Sequence, residues 1–213
     1  MTRLALSRVH FPVTTLGPGR RVGIWFQGCS IHCRGCISVD TWAPGRKDTQ
    51  VGALIATLAP WLGCADGVTV TGGEPFDQLG ALGTLLRGLR TAFDGDLLVY
   101  SGYPRERIAG PLAGLAGLID ALITDPYVAE VGDRLPLRGS DNQRLHLLTP
   151  RGQALYARLD TPNEHAKPRA LDLMVDDQGR FWMAGIPRRG DFAALQALLV
   201  REGHSVLTSE HPG

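Results

Sequence analysis

The stretch Gly67–Phe93, GVTVTGGEPFDQLGALGTLLRGLRTAF, decides how the chain is read. Its opening, Gly67–Thr71, is rich in β-branched side chains and reads as a short strand. From Asp77 to Phe93 the period changes. Leu79, Leu82, Leu85, Leu86 and Leu89 recur at helical spacing, which predicts an amphipathic helix with Asp77 as its N-cap. Between them lie Gly72, Gly73, Glu74 and Pro75. A strand that turns through glycines into a helix is the unit of an α/β protein.

The same alternation extends in both directions. Arg3–Val9 and Val22–Gln27 read as strands around the Gly17-Pro18-Gly19 turn. Thr49–Leu62 reads as a helix whose end Pro60 should disturb. Leu97–Tyr100 and Ala121–Thr124 read as strands, with a helical stretch broken at Pro111 between them. This order predicts a parallel sheet, open or partly closed, with ligands gathered at the carboxyl ends of its strands. Cys29, Gly72, Ser101 and Asp125 each follow a predicted strand, which groups them into one site. After the polar, proline-bearing stretch Asp160–Pro168, Leu171–Val175 and Arg180–Ala184 flank Asp176-Asp177-Gln178-Gly179 as a β-hairpin. Asp191–Arg201 follows as a last helix. The division expected is a core over 1–160 and a hairpin–helix extension over 161–213 packed on it, as one domain overall.

Composition narrows the function. The chain has 213 residues, 44% hydrophobic and 20% charged, with a net charge of +1. That is an ordinary globular balance and offers no electrostatic case for a nucleic-acid partner. No run reads as a signal peptide or a membrane span, so a cytoplasmic protein without a membrane partner is expected. In a reducing compartment, clustered cysteines point to metal or redox chemistry rather than disulfides.

Such a cluster lies in Gln27-Gly28-Cys29-Ser30-Ile31-His32-Cys33-Arg34-Gly35-Cys36. Close cysteine spacing lets one loop wrap an iron–sulfur cubane, and three thiolates leave a fourth iron open to substrate. Gly28 and Gly35 give the backbone freedom to fold around it. From the triplet alone two other readings stay open. One is a structural zinc site that recruits His32, His10 or Cys64; the other is a set of free thiols.

Taken with Gly72-Gly73-Glu74-Pro75, the C-x3-C-x2-C triplet resembles the radical S-adenosylmethionine superfamily. The resemblance implies a partial (βα) barrel, a 4Fe–4S cluster on Cys29, Cys33 and Cys36, and S-adenosyl-L-methionine held by the Gly72–Pro75 stretch. Further motifs narrow it. Gly17-Pro18-Gly19-Arg20-Arg21, Trp25-Phe26-Gln27-Gly28-Cys29, Thr41-Trp42, Tyr100-Ser101-Gly102-Tyr103 and Arg138-Gly139-Ser140-Asp141-Asn142-Gln143-Arg144 resemble elements of the glycyl-radical-enzyme activases. They are most similar to the activating protein of anaerobic ribonucleotide reductase. The implied partners are a glycyl radical enzyme and a one-electron reductant of flavodoxin or ferredoxin type. This chain departs from the pattern at Ile37-Ser38 and in its longer tail, and Gly35 stands where many superfamily members carry an aromatic residue.

Ser101 and Asp125 are candidates for polar contacts to the cofactor's ribose or ammonium group, with turn capping as the alternative. Asn142 and Gln143 are candidates for binding cofactor or partner, or for ordering a loop. Cys64 is expected to be a small buried hydrophobe, Trp25 and Trp42 to pack in the core, and Arg188-Arg189 to be a solvated pair. Two other functions stay open: a radical enzyme that modifies a small molecule, nucleotide or peptide directly, and a non-catalytic zinc- or cluster-binding module.

Overall fold

The computed structural model describes residues 2–45, 48–161, 170–175, 181–187 and 190–204. The expected hairpin turn Asp176–Gly179, Arg188-Arg189 and most of the Asp160–Pro168 stretch lie outside them.

Nine strands and five α-helices follow one another among the described residues. In chain order they are β1 (Arg3–Val13), β2 (Arg21–Phe26), β3 (Asp48–Gln50), α1 (Val51–Leu62), β4 (Gly67–Gly72), α2 (Leu79–Ala92) and β5 (Asp96–Tyr100). Then come α3 (Ala109–Ala113), β6 (Ala121–Thr124), β7 (Arg144–Leu147), α4 (Pro150–Tyr156), β8 (Leu171–Val175), β9 (Phe181–Gly185) and α5 (Asp191–Arg201). The main sheet has the order β3-β1-β2-β4-β5-β6-β7. Its central strands β2, β4, β5 and β6 are parallel, and antiparallel strands flank them on both sides. The sheet is open, with β3 and β7 at its edges.

Period-2 alternation assigns the two faces. Leu97, Val99 and Leu122 turn toward α1 and α2, where Leu54, Leu58, Leu82, Leu85, Leu86 and Leu89 complete the larger core. Leu98, Ala121 and Ile123 turn the other way and pack with Leu145 and Tyr156. At the far end of that second face, Trp25 packs with Val13, Leu16, Met174 and Ala184. The β8–β9 hairpin therefore sits on the sheet, and between it and the end covered by α4 the strand ends are left open to a cavity.

The amino ends of the strands are locked by a buried ion pair. Arg21 is fully buried and reaches Asp96 through Nη1 at 3.0 Å and Nη2 at 2.7 Å. Its Nε donates to the Thr69 hydroxyl at 2.6 Å, and Tyr156 donates its hydroxyl to Asp96. Every strong donor and acceptor here has a partner, as a buried charge pair requires.

Several expectations change in detail. Residues 48–50 pair with β1 instead of starting the helix, which begins at Val51. Pro60 lies inside α1, and the helix runs on to Leu62 before Gly63 caps it. Asp77 is not an N-cap: a short 3-10 turn, Pro75–Gln78, precedes α2, and Glu74 caps that turn through the Phe76 N–H. Strand β7 and helix α4 were not anticipated. The α4 signal stood in the sequence as Thr149-Pro150, with the Thr149 hydroxyl accepting the Gly152 N–H and proline in the first turn.

Candidate iron–sulfur and cofactor site

The site is built from loops at the carboxyl ends of β2, β4, β5 and β6. Two of them are joined backbone to backbone. Glu74 N–H donates to the Gly28 carbonyl at 2.9 Å, and Gly73 N–H to the Phe26 carbonyl at 2.9 Å. A Cβ on Gly73 would stand 2.0 Å from the Gly28 carbonyl oxygen. One on Gly72, where φ is +102°, would meet the Phe26 backbone at 2.5 Å. The two glycines thus permit close approach of the two loops to each other.

The cysteine loop is fastened at further points. Gly28 N–H donates to the Thr41 carbonyl at 2.7 Å and Cys29 N–H to the Trp42 carbonyl at 3.1 Å. Asp77 accepts the Ser30 backbone N–H at 2.9 Å, the Ser30 hydroxyl at 3.2 Å and the Tyr103 hydroxyl at 2.6 Å. Gln78 donates to the Gln27 carbonyl at 2.9 Å. The 3-10 turn after Glu74 therefore grips the segment around Cys29 on both sides. Neither Asp77 nor Tyr103 was assigned this role from the sequence, although Tyr103 stood in the quoted Ser101-Gly102-Tyr103 motif.

A cavity of about 600 Å³ lies over these loops, and Cys29, Cys33, Cys36, Gly72, Gly73 and Glu74 all line it. Ser101 and Asp125 line it too, whereas Pro75 and Asn142 do not. A second cleft, of about 540 Å³, lies against the other side of the same loop, and Cys29 borders both. Burial pushes the Cys33 and Cys36 thiols up, partly offset by the backbone near Tyr127 and Ser38. The indole N–H of Trp42 is buried with no hydrogen-bond partner and lies beside Cys36. Trp42 also stacks on His32, with ring centroids 4.7 Å apart.

The donor set fits an iron–sulfur cluster. Three thiols share one loop and one cavity wall, Gly28 and Gly35 take left-handed φ values of +99° and +76°, and a buried N–H is left over beside a sulfur. Among the described residues no three His, Cys, Asp or Glu side chains converge closely enough to hold a single metal ion.

Glu74 is 1% exposed. Its carboxylate accepts the Phe76 N–H at 2.9 Å, the Ser101 hydroxyl at 2.9 Å and the Gly102 N–H at 2.8 Å. Burial outweighs these bonds and pushes its pKa up to about 7. Ser101 therefore holds Glu74 in place. Asp125 has a left-handed φ of +82°, unusual for a non-glycine residue. Its carboxylate accepts two bonds from Arg144, at 2.7 and 3.0 Å, and one from the Thr124 hydroxyl at 2.8 Å.

The Arg138–Arg144 motif orders the neighbouring loop. Asn142 donates to the Pro126 carbonyl at 2.9 Å, and Gln143 donates to the Asp125 carbonyl at 3.1 Å while accepting the Gly139 N–H at 2.8 Å. Arg138 is buried and pairs with Asp160 at 2.7 Å. Cys64 is exposed, contrary to expectation, because it lies beyond the end of α1. Trp25 is buried as expected, with the Arg8 guanidinium 5.4 Å from its ring centroid.

The 4Fe-4S single cluster domain family matches this chain over residues 15–146. The chain is 30% identical over 149 residues to the anaerobic ribonucleoside-triphosphate reductase-activating protein of Vibrio cholerae serotype O1, a match spanning 66% of this chain and 96% of that protein. It is 28% identical over 148 residues to the protein of the same name from Escherichia coli K12, spanning 65% and 96%. It is also 36% identical over 91 residues to the pyruvate formate-lyase-activating enzyme of Staphylococcus epidermidis, spanning 40% and 36%.

Proposed function

This chain belongs to the 4Fe-4S single cluster domain family, and from that premise we propose that it is a radical S-adenosylmethionine enzyme that installs a glycyl radical on a partner protein. The observation that carries this reading is the meeting of Cys29, Cys33, Cys36 and the Gly72–Glu74 loop in one cavity at the strand ends. The names of the relatives support the activase role.

Cys29, Cys33 and Cys36 would hold the cluster as thiolates, with the Ser38 N–H favouring the charged sulfur of Cys36. Loading it therefore releases protons from the Cys33 and Cys36 thiols, which burial keeps protonated. When bound, the cluster would supply the one electron for reductive cleavage of S-adenosylmethionine to methionine and a 5′-deoxyadenosyl radical, the species that would take a hydrogen atom from a glycine of the partner. Glu74 organises the cofactor loop through its three internal hydrogen bonds, and it lines the cavity where an ammonium group could meet its carboxylate. Asp125 offers a second carboxylate to the cofactor, oriented by Arg144 and Thr124, while Gln143 fixes its backbone carbonyl.

Within this reading the open sheet is a partial barrel, residues 1–160 form the radical core and 161–213 its extension. The electron comes from a flavodoxin- or ferredoxin-type donor, and the reducing cytoplasm suits the cluster thiols. The test is anaerobic reconstitution, dithionite reduction and assay of 5′-deoxyadenosine. Wild type should form it and Cys33→Ala should not; equal yields would set the mechanism aside. A second reading, direct modification of a small molecule, is favoured by one feature: part of the cavity wall comes from the chain's own tail. Electron paramagnetic resonance on the glycyl radical enzyme encoded nearest this gene separates the two. A glycine-centred signal supports the activase, and its absence while cofactor is cleaved supports the second reading.

A further inference from the structure

We infer that the tail is part of the catalytic site: β9 and α5 supply an apolar wall, with Ile186 and Phe192 as its main side chains, that covers the uncharged ring system of bound S-adenosylmethionine. This rests on the function proposed above.

The tail lies beyond the family match, which ends at residue 146. The Vibrio cholerae relative is 96% matched by 66% of this chain, so it has no room for a segment of this size. Yet Met183 and Ala184 of β9, Ile186 just after it, and Phe192 and Ala193 of α5 line the same cavity as the three cysteines and the Gly72–Glu74 loop. Two kinds of surface thus face one space. The core side carries Glu74, Ser101 and Asp125, while the tail's lining residues, among those described, carry no charge. The cofactor has the same division, with a charged amino-acid end and a flat, uncharged purine. Matching each end to its own surface puts the purine against the tail, where an apolar wall also excludes water from the reacting centre.

The wall is latched. Asp172 of β8 accepts the Thr14 N–H at 2.7 Å, the Thr14 hydroxyl at 2.8 Å, the Thr15 N–H at 3.1 Å and the Thr15 hydroxyl at 2.8 Å. The Thr15 hydroxyl also lies 3.0 Å from the Ala184 carbonyl it can donate to. Met174 and Ala184 bury against Val13, Leu16 and Trp25 beside this latch. One carboxylate with four donors therefore fixes the hairpin to the β1–β2 loop, and β9 carries the chain from that anchor to Ile186 and Phe192. Asp172 is a positioning residue in this arrangement.

Hydrogen–deuterium exchange on the reconstituted protein, with and without S-adenosylmethionine, tests the inference. Cofactor should slow exchange about tenfold both in the Gly72–Glu74 loop and in residues 183–187 and 191–196. Asp172→Ala should keep the slowing in the Gly72–Glu74 loop and lose it in the tail. Phe192→Ser leaves the latch intact and should raise the cofactor's Kd about tenfold in a titration that needs no turnover. Slowing confined to the Gly72–Glu74 loop, or wild-type affinity in Phe192→Ser, overturns the inference and leaves the proposed function standing. No slowing in either region overturns both.

Discussion

Glu74 gives the sharpest consequence at the scale of single residues. Its folded pKa of about 7 stands above the ordinary 4.5. Below pH 4.5 the group is protonated in both folded and unfolded chains. Between the two values the folded form keeps a proton that the unfolded form has lost, so its contribution to stability falls as pH rises through this window and levels off above it. The fall is about 3 kcal/mol. Urea unfolding of the cluster-free protein between pH 5 and 8 should follow that slope, and Glu74→Gln should flatten it; an equal slope in both would assign the pH response elsewhere. Asp77→Asn should act on the cluster instead. By weakening the charge-assisted bonds to Ser30 and Tyr103, it should speed iron loss to a chelator about tenfold, read from the decay of visible absorbance. An unchanged rate would leave Asp77 without a role in holding the loop. The sequence pointed to Cys29, Cys33, Cys36 and Glu74 because their spacing and neighbours carry chemical meaning. It did not reveal that Ser101 bonds to Glu74, or that Asp77 reaches back to Ser30. Those contacts join residues 27 and 47 positions apart, and no local pattern records them.

Among the elements, the buried Arg21–Asp96 pair is the most exposed to a single change. Asp96→Ala would leave the Arg21 guanidinium buried and without its carboxylate, which should cost about 3–5 kcal/mol. The urea midpoint of the cluster-free protein reads this directly; a loss under about 1 kcal/mol would mean that water reaches Arg21 in the variant. Element types were largely legible. Ala121–Thr124 and Asp191–Arg201 fall where periodicity put them. Helix α2 buries the leucines that its spacing selects, with Leu79 at its start left 37% exposed. Boundaries were less legible where tertiary pairing overrides local preference. Asp48–Gln50 joins an edge strand because β1 offers it a partner. Arg144–Leu147 pairs antiparallel with β6 although its first residue belongs to a motif read for chemistry.

Considered whole, the molecule divides its labour between the two ends of its parallel strands. The amino ends are closed by charge pairing and the carboxyl ends border the cavity lined by the three cysteines, where the strand–helix alternation leads one to look for a ligand. The position of the tail was not implied. A hairpin and a helix were legible, but their docking depends on Asp172 meeting Thr14 across 158 positions of sequence. No helix of the described residues is long and apolar enough to cross a membrane.

The backbone bonds between Glu74 and Gly28, and between Gly73 and Phe26, make the cysteine loop and the Gly72–Glu74 loop a single mechanical part. Thermodynamic linkage then imposes an equality between two quantities that are measured separately. Whatever factor the assembled cluster adds to the affinity for S-adenosylmethionine, the bound cofactor must return to the affinity for the cluster's metal. Where that factor exceeds one, a fall in S-adenosylmethionine loosens the cluster's iron as well as slowing turnover.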